Sequence, residues 1–309
     1  MAHADPDCAP NVNRYISITG LFAVTVAALA LVEVALRSTG SGLSIFDTRG
    51  AGQVLLLAVP LCLIILFVSR VPGGDPLGFA ALYVRGRRRA AAGFLWFWAV
   101  PTLIIVAAYL LVGQFGHVTV SQDALAAFNA RIAINTAVSL LVVLVLATTE
   151  ELIFRSFIMR HLIFDGSRAA FVSAVVIAAL IFAVLHNLTD PLAWFTREAF
   201  PLLVGLFTLA VLLSVTYLST GSITCAIGVH AAFLGSKVFL RRTDFVDVNH
   251  PALLLQNSGD LRESPFVWLL WLVMAGVIYL MRKRLRARFA IETDFHMLKP
   301  SAYRRERAG

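Results

Sequence analysis

Leu140-Leu141-Val142-Val143-Leu144-Val145-Leu146-Ala147-Thr148-Thr149-Glu150-Glu151-Leu152-Ile153-Phe154-Arg155 is an apolar run that ends on two carboxylates and a guanidinium. One charge at the centre of a bilayer costs about 2.5–3.5 kcal/mol on insertion scales, and other estimates are larger. Three charges near one level therefore need a protein interior or a water-filled cavity to face. Glu151 and Arg155 are four residues apart on one helix face, with the acid on the N-terminal side, the favourable order for an ion pair. Glu150 points about 100° away around the helix and is left for another task.

Working outward, the rest of the chain agrees with a membrane reading. Of its 309 residues, 59% are apolar and 14% are charged, and the mean hydropathy is +0.81. Soluble domains average roughly 45–50% apolar and about 25% charged residues, so an ordinary soluble domain is excluded. A spanning helix takes about 20 mostly apolar residues. Such runs occur at 15–37, 51–69, 90–113, 132–164, 168–187, 200–218, 222–240 and 265–282. The expected fold is an all-α, polytopic transmembrane helical bundle of about eight spans, because lipid offers no partners for free backbone groups. The 132–164 run would extend close to about 50 Å as one helix, so it must tilt, kink or protrude.

The connectors are short. Val71-Pro72-Gly73-Gly74-Asp75-Pro76, Asp165-Gly166-Ser167 and Ser219-Thr220-Gly221-Ser222 read as turns. The simplest division is residues 1–131, N-terminal spans with a basic loop; 132–240, the core that carries the chemistry; and 241–309, an outer loop, a last span and a basic tail. Net charge is +8, concentrated in Arg85, Arg87, Arg88 and Arg89 and in the tail from Arg282. Beside apolar spans such clusters mark cytoplasmic flanks and contacts with anionic lipid head groups at the tail, not nucleic acid. Both termini are expected inside, with 115–131, 188–199 and 241–264 on the outer side. Cys8, Cys62 and Cys225 make no CxxC pair, so neither a disulfide framework nor a cysteine metal site is expected. Asp5 and Asp7 ahead of the first run are unlike a cleavable signal peptide, so the first span is expected to be retained.

Two histidines join the acidic pair. His186 ends the fifth run four residues after Phe182, and His230 lies inside the seventh. Glu150 is 16 residues before Gly166 and His186 is 20 after it. In an antiparallel hairpin that puts them within about 6 Å in depth, far from the Gly166 turn and hence nearer the outer face. A carboxylate beside imidazoles, away from bulk water, suits activation of a water molecule, and an imidazole can orient that water or stabilise an oxyanion. Glu150, His186 and His230 are equally a possible zinc set. Each residue alone has a plainer reading. A single intramembrane histidine commonly serves as an interhelical hydrogen bond, Glu151–Arg155 as a structural ion pair, and Glu33 of the first run as a structural or snorkelling group.

Glu150-Glu151-x-x-x-Arg155, then Phe182-x-x-x-His186, then His230 resembles the CAAX-prenyl protease and bacteriocin-processing (Abi, CPBP) family of intramembrane endopeptidases, over about residues 132–240. The resemblance implies that Glu150 activates the hydrolytic water, that His186 and His230 complete the site, and that Glu151 and Arg155 support it. It implies a peptide or protein substrate that is membrane-associated or exported, a multi-pass protein of a bacterial inner membrane, and a glutamate mechanism without a cofactor in preference to zinc. No HExxH occurs, which excludes an ordinary zincin. One position departs: the family carries a polar residue, often Asn, four after the last histidine, and here it is Leu234. Asn187 or Asn135 could substitute. The departure keeps open a non-catalytic membrane scaffold or immunity factor that binds peptides. A proton-coupled transporter is a third class, since Glu and His also build proton relays.

Overall fold

The computed structural model describes residues 12–39, 87–115, 118–159, 168–186, 199–248 and 261–290, with Val59, Cys62, Leu63, Leu162 and Thr196 as isolated positions. The elements are α1 (Val12–Ser38), α2 (Arg87–Gly113), β1 (Val118–Val120), α3 (Gln122–Ala127) and α4 (Ala130–Glu151). A π-helical segment, Leu152–Met159, continues α4. Then follow α5 (Arg168–Leu185), α6 (Phe200–Thr220), α7 (Ile223–Thr243), β2 (Val246–Val248), a 3₁₀ turn (Leu261–Glu263), α8 (Pro265–Leu280) and α9 (Arg282–Phe289). The protein is an all-α polytopic bundle. Among the described residues, four helices are long and apolar enough to cross a membrane: Arg87–Leu111, Ala130–Arg155, Phe200–Thr220 and Ile223–Thr243. The α8–α9 pair, bent by 73°, makes a fifth if counted as one span. Phe171–Leu185 is apolar but shorter. The expected 51–69 span lies outside the described residues apart from its three isolated positions.

The over-long 132–164 run resolves by changing helix type. Straight α-helix stops at Glu151, and the next turns widen into π-helix. π-Helical turns are rare and often accompany functional sites. Here the change falls directly after the acidic pair.

The buried core sits around α6 and α7. One apolar cluster joins the π segment, α5 and α6 through Phe154, Met159, Phe182 and Leu206. A second joins α2, α6, α7, α8 and α9 through Phe97, Leu213, Val229, Trp271 and Phe289. Gly221, at φ 69°, closes α6 in the left-handed region and reverses the chain into α7, a conformation open to glycine without strain. The α2 and α7 backbones cross closely at Gly228. A Cβ built on Gly228 would come within 2.6 Å of the Phe94 carbonyl oxygen and 3.0 Å of the Trp98 nitrogen. Small residues permit such backbone approach between membrane helices. Gly228→Ala should therefore force the two helices apart at a cost of about 1–3 kcal/mol, the usual range for overpacking. Gly276→Ala in α8, where a methyl meets nothing within 4 Å, should be neutral or mildly stabilising. Thermal unfolding of both variants in detergent checks this.

Two ends of the bundle are defined by contacts. β1 and β2 pair antiparallel, Val118 opposite Val248 and Val120 opposite Val246, so the 115–131 and 241–264 connectors meet at one end. This strand pair is an addition to the all-helical expectation. At the other end α9 folds back beneath the bundle. Its Phe289 packs edge-on against Phe97 at 5.8 Å, Arg288 lies over Trp96, and Arg286 donates to the Leu218 carbonyl at the end of α6 at 2.7 Å. The basic start of α2 and the basic α9 thus share one end.

Candidate functional site

α4 delivers Glu150 and Glu151 from its last turn, α5 delivers His186 at its C-terminal end, and α7 delivers His230. Glu151 is fully buried and is the hub. Its Oε1 accepts from Arg155 Nη1 at 3.0 Å and from His230 Nδ1 at 2.9 Å. Arg155 is equally buried, and its Nη2 donates to the Ala210 carbonyl of α6 at 3.1 Å. That bond ties the π segment to the centre of the bundle. A buried ion pair is stabilising only when further hydrogen bonds satisfy it, and His230 and Ala210 supply two of them.

Glu150 faces the other way, as its offset around the helix requires. Its Oε2 lies 4.0 Å from His186 Nε2 and 3.6 Å from His230 Nε2. Both separations are too long for direct hydrogen bonds, and Oε2 is buried with no partner. The two imidazoles are held in one tautomer. His186 Nδ1 donates to the Phe182 carbonyl at 2.7 Å, and His230 Nδ1 donates to Glu151. Each therefore turns an unprotonated Nε2 toward Glu150, as expected when the other ring nitrogen is committed. Three acceptors face one another across a gap with no proton between them. A water molecule, with two hydrogens to donate, fits that demand.

Phe182 forms the wall of the cluster. Its ring centroid is 4.4 Å from that of His186 and 6.0 Å from that of His230, and the Arg155 guanidinium sits 5.1 Å over it. It fixes both rings and shields the Glu151–Arg155 pair. Its i, i+4 placement before His186 puts the two rings on one helix face. The Ala210 carbonyl carries no side-chain signal at all.

Access is one-sided. The His186 side chain is 26% exposed and Glu150 15%, against 4% for His230 and none for Glu151. His230 is seven residues, about 10 Å, from the start of α7, Glu150 is 20 residues, about 30 Å, from the start of α4, and His186 follows the last residue of α5. The three helices thus carry the cluster at different heights along their own lengths. Asn135 cannot stand in for the residue missing at Leu234, because it is exposed some 15 residues, about 22 Å, from Glu150 along α4. Asn187 lies outside the described residues. Glu33 pairs with Arg37 at 2.7 Å on α1 and takes no part in the cluster.

The donor types of Glu150, His186 and His230 suit zinc. Their 3.6 and 4.0 Å separations exceed the roughly 3.4 Å between ligands of a tetrahedral zinc bound at about 2.1 Å. Among the described residues no three His, Cys, Asp or Glu side chains are placed to hold a metal ion. The cluster as built does not fit one.

Residues 132–234 match the family model for Rce1-like, type II CAAX prenyl endopeptidases. No curated protein and no solved structure matches the chain. The matched stretch contains all five clustered side chains, the whole of one of the four long apolar helices, Phe200–Thr220, and parts of two others. Over that third of its length, this all-α polytopic protein is similar to the type II CAAX prenyl endopeptidases.

Proposed function

We propose that the chain is an intramembrane endopeptidase in which Glu150 activates water, His186 orients it and His230 stabilises the oxyanion. The observation that carries this reading is the unpartnered Glu150 Oε2, set between two Nε2 atoms at 3.6 and 4.0 Å. Water donates one hydrogen to Glu150 and the other to His186. As Glu150 takes its proton, the hydroxide oxygen bonds to the scissile carbonyl carbon. Glu150 hands that proton on to His230 Nε2, 3.6 Å away, and the oxyanion accepts from the Nε2–H so formed while Glu151 supports the imidazolium through Nδ1. The same proton then returns through Glu150 to the amide nitrogen as the C–N bond breaks, releasing an amine and a carboxylic acid. Glu151 and Arg155 touch no reacting atom; they position His230. With Leu234 apolar, His230 carries the oxyanion without a neighbouring amide.

The substrate is a membrane-associated or exported peptide or protein, and the proton route uses no cofactor. The catalytic core is residues 132–240, and the protein lies in a bacterial inner membrane with both termini cytoplasmic. Arg88, Arg89, Lys283, Arg284 and Arg288 are exposed at one end of the bundle. Three arginines occupy the first turn of α2, the positive end of a helix dipole. Anionic lipid head groups relieve that repulsion.

The test compares peptide termini in membrane and secreted fractions of cells that express the wild-type protein or Glu150→Ala at equal levels. Loss of defined termini with the variant supports the reading. Identical termini, with any phenotype intact, would favour the peptide-binding scaffold that Leu234 suggests.

A further inference from the structure

Ser214 of α6 is fully buried, and its Oγ has no hydrogen-bond partner among the described residues. A buried hydroxyl is rarely left so, because an unpaired one costs free energy. The threonines of the same helix show the usual solution. Thr208, Thr216 and Thr220 donate to the carbonyls one turn back, of Val204, Leu212 and Thr216, at 3.0, 2.8 and 2.8 Å. For Ser214 that carbonyl belongs to Ala210. Its oxygen already accepts from the Ser214 amide within the helix and, at 3.1 Å, from Arg155 Nη2. Those two bonds use both of its lone pairs. The contact that anchors Arg155 therefore displaces the Ser214 hydroxyl.

Arg155 has the matching deficit. It is buried, and its Nε is without a partner among the described residues. The guanidinium is planar, and Nε–H leaves it by the edge that Nη2 shares, so it lies beside the nitrogen that reaches α6. Ser214 is on the side of α6 that meets it. Ala210 and Leu218 belong to the apolar cluster shared with the π segment, while Leu209, Leu212 and Leu213 belong to the other cluster. At about 100° per residue Ser214 falls between Ala210 and Leu218 around the helix. A hydroxyl one turn, about 5.4 Å, along from the anchoring carbonyl is within reach of one bridging water. Glu151 Oε2, of the same ion pair, is a third buried atom without a partner among the described residues. Two donors and one acceptor match the roughly three hydrogen bonds that an internal water makes.

We propose that Ser214 is a positioning residue, holding one internal water that accepts from Ser214 Oγ and Arg155 Nε and donates to Glu151 Oε2. Its effect on turnover rests on the peptidase reading. The water fixes the ion pair from the side of α6, and Glu151 in turn holds His230 Nδ1 at 2.9 Å. Ser214 touches no reacting atom; it acts on the rate by keeping His230 Nε2 beside Glu150.

The test reads the water first and its effect second. Full-length protein in detergent, isotope-labelled at its arginine nitrogens, should show one Nε–H resonance that cross-relaxes with a bound water. That resonance should be missing from the double variant Glu151→Gln with Arg155→Met, in which no buried charge is left unpaired. Ser214→Ala should shift the resonance and remove the water cross-peak, and Ser214→Thr, which keeps a hydroxyl, should retain the cross-peak. In proteoliposomes with an internally quenched peptide pool, Ser214→Ala should lower kcat about tenfold with KM unchanged, the worth of one charge-assisted hydrogen bond. Ser214→Thr should recover most of that loss. Thr216→Val, whose hydroxyl is committed to Leu212, should change neither constant. An Arg155 resonance with no water cross-peak, one that Ser214→Ala leaves unmoved, or an unchanged kcat in Ser214→Ala would overturn the proposal. Absence of hydrolysis by the wild-type protein would count against the peptidase reading alone, and the resonance would still decide whether the water is held.

Discussion

Glu150→Gln should leave the protein folded and reduce peptide hydrolysis by about 10²–10⁴-fold, the usual contribution of a general base. The amide has the size of the carboxyl group but cannot take a proton from water. Glu150 makes no hydrogen bond that holds the bundle together, since its Oε2 is unpartnered. Melting temperature in detergent should therefore stay within a degree or two of wild type, or rise, because a buried acceptor facing two imidazole lone pairs is replaced by a group that can donate. Cleavage is read on purified protein in proteoliposomes. More than a tenth of wild-type hydrolysis remaining in Glu150→Gln would sink the assignment of Glu150 as the base.

The second large effect concerns stability. Arg155→Met removes the cation from a fully buried pair and leaves Glu151 with only His230 as a partner. Breaking a buried ion pair from one side typically costs about 3–5 kcal/mol. The double change Glu151→Gln with Arg155→Met removes both charges and should recover most of that loss, because no uncompensated ion remains. Hydrolysis should not recover with it. Without the carboxylate, His230 has no anionic partner for its protonated form, and the oxyanion loses its support. Thermal unfolding and peptide cleavage on the same two preparations separate these outcomes. Recovery of both together would mean that Glu151 and Arg155 serve the fold alone.

Much of this site was legible in the residues because helix geometry is regular. The Glu151–Arg155 pairing follows from a four-residue spacing, and the meeting of Glu150 with His186 follows from counting along two antiparallel helices from Gly166. His230 was visible as an ionisable group inside an apolar run. What escaped depended on groups that sequence does not display. Arg155 is anchored by a backbone carbonyl, and any residue at position 210 has one. The π-helical turns after Glu151 contain Leu, Ile, Phe and Met that suit an ordinary α-helix equally well, so packing against α5 and α6 decides them. The β1–β2 pair has three residues on each side, below the length at which alternation can be read.

The α2–α7 crossing at Gly228 bears on what counts as a unit in this protein. His230 lies two residues beyond that contact, so its height and rotation are set by the backbone of Phe94, Phe97 and Trp98. These residues precede the 132–234 stretch that matches the family. The inherited module and the mechanical module are therefore different objects. A fragment cut at the limits of the match would keep every reactive side chain and lose the surface against which one of them is aligned. Transplanting the chemistry into another membrane scaffold would require moving a helix that contributes no chemical group of its own.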